Sequence, residues 1–222
     1  MVEIKPRILD LFCKAGGSAM GLHQAGFEVV GVDIKPQPHY PFEFHQGDAL
    51  SYPLEGFDAY WASPPCQGYM NALSMPNVRR KHNSAERLIE PIRERFLATS
   101  KPYIIENVPH APLQNFIQLS GPMLNLKVIR KRWFECHGFE LGLMPAAQTY
   151  KNARAAGYIP YNKGETSRRN IRLHQIWTKP RVSKAMDINW MSMAELNEAI
   201  PPAYSRLIGG WLIKALERNP NL

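Results

Sequence analysis

Cys66 lies in Ser63-Pro64-Pro65-Cys66-Gln67, where two prolines stiffen the backbone just before the thiol. A lone cysteine is usually a small buried hydrophobe. This one follows a short apolar run and precedes Gln67-Gly68, a poor setting for inert packing. Such a thiol reads as a nucleophile, and a nucleophilic thiol needs neighbours that help it ionise or deliver its proton. Glu106, at the tip of the apolar run Tyr103-Ile104-Ile105, is one candidate partner. Burial would raise its pKa and let it donate a hydrogen bond to a ring nitrogen. Arg130 and Arg132, in Arg130-Lys131-Arg132-Trp133-Phe134, carry planar forks suited to a base carbonyl or to phosphates. The plain alternatives are a carboxylate capping its own turn and a solvated basic stripe.

A second group of residues suits a nucleoside. In Asp10-Leu11-Phe12-Cys13-Lys14-Ala15-Gly16-Gly17, paired glycines open a helix and let backbone N–H groups approach an anion. Asp33 ends the next apolar run, where a carboxylate accepts hydrogen bonds from both ribose hydroxyls of an adenosine. Asp48 follows a third run, placed to accept from an adenine amino group. Any one of these is ordinary in a turn. Their order in one pattern points to an adenosine-containing cofactor.

The elements that must position these residues alternate. Strands are predicted over 7–12, 28–33, 43–47, 57–62 and 103–108, with a helix over 18–25 and a helix-compatible stretch over 85–100. The pattern predicts an α/β fold with a doubly wound, mostly parallel sheet, whose ligands sit beyond the carboxyl ends of the strands. From Cys136 to Lys184 no element can be placed, and 193–217 reads as helical segments broken by Pro201-Pro202. The predicted organisation is a catalytic and cofactor-binding domain over 1–135, a short basic segment over 136–181, and a helical return over 182–222.

Composition narrows the class. The 222 residues, 45% hydrophobic, can bury one good-sized core. No apolar run is long enough to span a membrane, and the first residues lack a signal peptide's pattern. Three widely spaced cysteines, with no Cys-x-x-Cys pair, argue against disulfides and structural zinc and fit a reduced cytoplasm. Acidic residues outnumber Lys and Arg in the first 60 residues, whereas 127–184 holds thirteen Lys and Arg against three acidic residues. One basic face meeting a polyanion is the expectation, with no preference between DNA and RNA.

Taken together, the stretch from Asp10 to Gly17, Val32-Asp33, Asp48, Pro65-Cys66-Gln67, Glu106-Asn107-Val108 and Arg130-x-Arg132 resembles the ordered motifs of DNA cytosine-5 methyltransferases, nearest to their short, phage-encoded members. The resemblance is specific over 7–134, weaker over 186–212 and absent over about 136–181. It implies a Rossmann-like fold of the S-adenosylmethionine-dependent type with a short irregular recognition insert. It implies S-adenosylmethionine as cofactor and DNA as partner, with no metal and no partner protein. Phe12, Lys14, Ala15, Gly16, Gly17, Asp33, Ile34, Asp48, Ala49 and Pro65 would line the cofactor pocket. Cys66 would add to C6 of a flipped cytosine, Glu106 would hold N3 and the exocyclic amine, and Arg132 would grip O2 with Arg130 in support. Gln67, Arg79, Arg80, Lys81, Arg168, Arg169 and Arg172 would contact nucleic acid, and 68–83 would be a mobile loop closing over the base.

Three departures stand out. Lys14 occupies a position that is usually glycine, Ser205-Arg206-Leu207-Ile208-Gly209-Gly210 lacks the asparagine of the final motif, and the recognition segment is very short. A lysine at 14 either points to solvent or adds a cation near the cofactor, which would favour a carboxylated derivative. The short basic segment implies relaxed sequence recognition. The alternatives to DNA methylation are the same chemistry on RNA, transfer of a modified one-carbon group, and a weakly active nucleic-acid-binding relative.

Overall fold

The computed structural model describes residues 5–69, 86–146 and 178–219, together with the backbone of 159–160. The apolar runs at the front of the chain become five parallel strands. These are β1 (Arg7–Leu11), β2 (Glu28–Asp33), β3 (Glu43–Gln46), β4 (Ala59–Ala62) and β5 (Tyr103–Asn107). Two more strands, β6 (Ile117–Leu119) and β8 (Arg132–His137), extend the sheet in the order β3-β2-β1-β4-β5-β8-β6, with β8 antiparallel to both neighbours. A separate two-stranded parallel ladder joins β7 (Val128–Ile129) to β9 (Ile159–Pro160). The seven-stranded sheet is the predicted doubly wound type, and its strand order reverses between β1 and β4.

β1, β2, β4 and β5 are buried on both faces, as a parallel sheet covered on two sides requires. One face carries Ile8, Trp61, Ile104 and Phe134, packed under α1 (Gly17–Ala25) and α5 (Pro202–Arg218) through Leu22, Tyr204, Ile208 and Leu212. The other carries Leu9, Leu11, Tyr60 and Ile105 under α2 (Ile89–Leu97), whose Ile89, Ile92 and Phe96 are fully buried. Phe96 stacks on Tyr60 at 4.9 Å, fixing the helix over the middle of the sheet. A small third core joins Ala15 to α3 (Lys179–Met186) and to Leu196 of the short helix α4 (Met193–Leu196).

Several boundaries differ from the sequence expectation. β3 stops at Gln46 and β4 begins at Ala59, each shorter than predicted. β6, β7 and α3 were not predicted: the two strands are two or three residues long, and α3 opens with Lys179-Pro180-Arg181 inside a stretch that reads as irregular. Pro201-Pro202 marks the start of α5, with Pro202 at a first-turn position where its missing N–H costs nothing.

Candidate active site

The candidate residues that the structure describes lie at the carboxyl ends of β1, β2, β4 and β5, just past β3, or by the neighbouring end of β8, although Arg130 turns away to other partners. On the cofactor side, the turn after β1 is built from backbone conformations that most side chains avoid. Phe12 (φ 59°), Lys14 (φ 46°) and Gly16 (φ 77°) all occupy the left-handed region. That explains why glycine suits position 14 and what a lysine there costs, of order 1 kcal/mol of backbone strain. Lys14 has compensating contacts. Its N–H donates to Asp33 Oδ2 at 3.1 Å, and its ammonium pairs with Glu198, both side chains being partly exposed. The cation therefore points neither into open solvent nor alone at the cofactor pocket. Sequence reading could not foresee this pairing, because Glu198 arrives from the far end of the chain.

The segment before α5 closes the turn from above. Trp190 Nε1 donates to the Ala15 carbonyl at 2.8 Å, and a Cβ at Gly17 would lie 2.3 Å from the Ile200 carbonyl oxygen. Only glycine fits there. Ser205, in the stretch where the resemblance implies an asparagine, is fully buried and donates to the Ser18 carbonyl at 2.8 Å. The departure at the final motif thus joins α5 to α1.

The pocket suits an adenosine cofactor. Asp33 is 8% exposed and accepts one N–H on each oxygen, from Lys14 and, at 3.0 Å, from Lys35. Each oxygen keeps a lone pair for a hydroxyl. Ile34 is 67% exposed at the same strand end, an apolar surface awaiting a flat partner. No side chain caps the nine-residue α1, so its first N–H groups face the turn as an anion site. Asp48 sits two residues past β3, in a turn that its own Oδ1 closes by accepting from Leu50 N at 2.9 Å. Ala49 is buried, and its carbonyl accepts from Arg95.

On the base side, the rigid run ends in a 3₁₀ turn, Cys66–Tyr69. Asn107 fixes its approach by donating Nδ2 to the Pro64 carbonyl at 2.9 Å, and Ser63 N donates to the Leu11 carbonyl at 3.1 Å. Glu106 is 5% exposed. Arg132 Nε lies 2.8 Å from Glu106 Oε1, an ion contact not aligned as a hydrogen bond, so this oxygen keeps unmet accepting capacity. Ser63, receiving Trp61 Nε1 at 3.0 Å, stands near enough to the same carboxylate to favour its charged form. Burial pushes the Glu106 carboxyl up, and Arg132, Arg130, Lys14 and Ser63 pull against it. Burial also pushes the Cys66 thiol up, opposed by Arg132 and Lys14 and reinforced by Glu106. One thiol, one carboxyl and one guanidinium therefore act on each other in a half-closed space.

Not every predicted partner is there. Arg130 is buried and committed elsewhere: it donates to the carbonyls of Leu196 (3.1 Å) and Asn197 (2.7 Å), at the end of α4. It clamps the C-terminal segment, and its charge reaches Glu106 only through space. Gln67 has a buried amide oxygen with no hydrogen-bond partner. Pro65 is half-buried beside Cys66. Arg79, Arg80, Lys81, Arg168, Arg169 and Arg172, and all of the proposed closing loop from 70 onward, lie outside the described residues. Sequence reading missed the work of Asn107, Ser63, Trp190 and Glu198. Only Asn107 and Ser63 left a signal, as neighbours of Glu106 and of the Pro-Pro-Cys run.

Solved structures of similar shape share this architecture. A prophage-encoded E. coli protein described as a DNA modification methyltransferase aligns over 96% of this chain and 99% of its own, at 12% identity and TM-score 0.57. The S. pombe Dnmt2 methyltransferase aligns over 98% and 100%, at 13% identity and TM-score 0.56. The Entamoeba histolytica methyltransferase EhMeth aligns over 96% and 99%, at 12% identity and TM-score 0.60. The chain has a methyltransferase fold. No protein-family model and no curated protein sequence matches it. Among the described residues no helix of this methyltransferase fold is long and apolar enough to cross a membrane, and no cluster of His, Cys, Asp or Glu could hold a metal.

Proposed function

We propose that the protein transfers a methyl group from S-adenosylmethionine to C5 of cytosine in DNA, with Cys66 as the nucleophile that activates the base. The observation that carries this reading is the meeting of Cys66, Glu106 and Arg132 at one strand edge, beside a turn that fits an adenosine. A thiol held as the neutral acid adds poorly to a ring, so addition to C6 needs help from the base itself. Glu106, whose carboxyl burial pushes up towards its protonated form, would donate to N3 and make C6 electrophilic as the sulfur attacks. Arg132 stands where it can hold the base O2, and its charge favours the thiolate. The Cys66–C6 bond leaves C5 electron-rich; once C5 carries the methyl group its proton passes to water, the C6–S bond breaks to return the thiolate, and N3 gives its proton back to Glu106. S-Adenosylmethionine, when bound, supplies the electrophilic methyl group to C5. Asp33 and Ile34 orient the adenosine, Asp48 its amino group, and the α1 N-terminus the carboxylate.

The target base must leave its stack to reach Cys66, at a cost of a few kcal/mol. DNA is favoured as substrate by the prophage-encoded neighbour, whose description names DNA modification. A plain methyl group is favoured over a carboxylated one because the Lys14 ammonium already has Glu198 as its counter-ion. The test is incubation with labelled S-adenosylmethionine and, in competition, duplex DNA and transfer RNA, followed by nucleoside mass spectrometry. 5-Methylcytosine in the DNA is the expected product. Label only in RNA, or a carboxymethyl product, would each overturn the corresponding part. Wild type should also form a covalent adduct with DNA carrying 5-fluorocytosine, and Cys66→Ala should not.

A further inference from the structure

Helix α2 carries two arginines, two positions apart, that reach opposite halves of the site. Residues at i and i+2 on a helix project about 200° apart, so Arg93 and Arg95 leave α2 in nearly opposite directions. The helix itself is pinned over the middle of the sheet by Phe96, which contacts Tyr60 on β4 and Tyr103 on β5. Arg95 points towards the cofactor half. It donates to the Ala49 carbonyl and, at 2.6 Å, to the Tyr52 carbonyl, bracketing the turn that Asp48 begins. Arg93 points towards the base half. It forms a two-pronged pair with Glu135 of β8, both bonds 2.7 Å, and donates to the Pro112 carbonyl at 2.8 Å. Glu135 in turn accepts from Gln114 N at 2.7 Å and from the Tyr103 hydroxyl at 3.2 Å. The segment after Glu106-Asn107 is thereby tied to both α2 and β8.

We infer that α2 is a strut whose two arginines position the two halves of the site separately: Arg95 sets the Asp48 turn for the cofactor's adenine, and Arg93, through Glu135, sets the end of β5 for the base. Neither arginine touches the reacting atoms, so both are positioning residues. In sequence this helix reads only as a helix-compatible stretch, with nothing to show what its arginines meet. In the structure Arg93 is 7% exposed and both guanidiniums are occupied with the protein's own oxygens. A single helix serving both sides of the point where strand order reverses keeps them in register with each other.

The inference rests on the methyl-transfer reading of the site, and steady-state kinetics of the full chain separate the two. Arg95→Gln should raise the KM for S-adenosylmethionine about tenfold, the size expected for losing two hydrogen bonds, with kcat changed less than twofold. Arg95→Lys should fall between it and wild type. The double variant Arg93→Gln/Glu135→Gln removes both buried charges together, which protects the fold. It should lower kcat about tenfold or more, as displaced reacting groups do, and leave the cofactor KM within twofold. Glu135→Gln alone, which keeps the Arg93–Pro112 bond, should lower kcat less, and it stands in if the double variant does not fold. Asp48→Ala is the control: if it leaves cofactor affinity unchanged, the reading of the adenine site has failed. If Asp48→Ala weakens cofactor binding and Arg95→Gln does not, or if the Arg95 and Arg93 variants shift the same constant, the strut is wrong.

Discussion

The cofactor half and the base half of the site are built by different means. Around β1 and β2 the work is done by backbone. Three consecutive even positions, Phe12, Lys14 and Gly16, hold left-handed conformations, and Asp33 has an N–H on each oxygen. Around β4, β5 and β8 the work is done by side chains left partly unmet. Glu106 Oε1 and Gln67 Oε1 are buried without hydrogen bonds, and the Cys66 thiol is held away from its charged form. Unmet buried polar atoms cost about 1–3 kcal/mol each, and a fold keeps them where a ligand will supply the partner. The cofactor half sets its groups largely through backbone, although Asp10 Oδ1 and the Tyr40 hydroxyl are also buried without partners there, and the base half gathers its unmet groups around the thiol.

Substitutions on the base half should damage turnover and spare the fold. Cys66→Ala should abolish product outright, as read by transfer of labelled methyl groups. Glu106→Gln should cut kcat by about 10²–10³-fold, the size seen when a preorganised donor is lost, with cofactor affinity unchanged in equilibrium binding. The raised Cys66 thiol also sets a pH trend. Alkylation of Cys66 should speed up as pH climbs from 7 towards 9, and Arg132→Gln should slow it at every pH in that range by removing the cation that favours the thiolate. A flat profile would break the contrast between the halves.

On the cofactor half the effects should be smaller and should appear in binding and stability. Gly17→Ala forces a methyl against the Ile200 carbonyl and should cost about 1–3 kcal/mol, seen as a lower Tm and weaker cofactor binding, with kcat at saturation largely kept. The smallest effect concerns Asp10, fully buried, with only Ser18 donating to it and burial pushing its carboxyl well above the ordinary range. A carboxyl whose folded pKa is raised contributes full stability below its unfolded pKa near 4 and becomes a penalty as pH rises. Asp10→Asn should therefore raise Tm by a few degrees at pH 7, and the gain should vanish near pH 4.

The parallel core was legible in the chain because β1, β2, β4 and β5 are buried on both faces and so appear as unbroken apolar runs. The antiparallel edge strand β6 and the separate strand β7 were not, because each is too short to show any period. Cys66 and Glu106 were legible as chemistry standing at the ends of such runs. Charged residues were read least well. Arg93 and Arg95 look like surface in sequence and Arg130 looks like a partner of Arg132, yet each serves buried or local carbonyls, a choice made by tertiary neighbours tens of residues away. Lys14 stands out in the sequence for its unusual position, but its meaning depends on Glu198, which only the folded chain brings near.

The contacts of the first turn with the last third of the chain also govern when the protein becomes competent. Ala15, Lys14 and Gly17 meet Trp190, Glu198 and Ile200, and Ser18 meets Ser205. A chain emerging from the ribosome has its opening turn long before these lids exist, and long-range closures of this kind form late. The nascent protein would thus stay silent until the segment around residues 190–205 has been synthesised and has folded back over the turn.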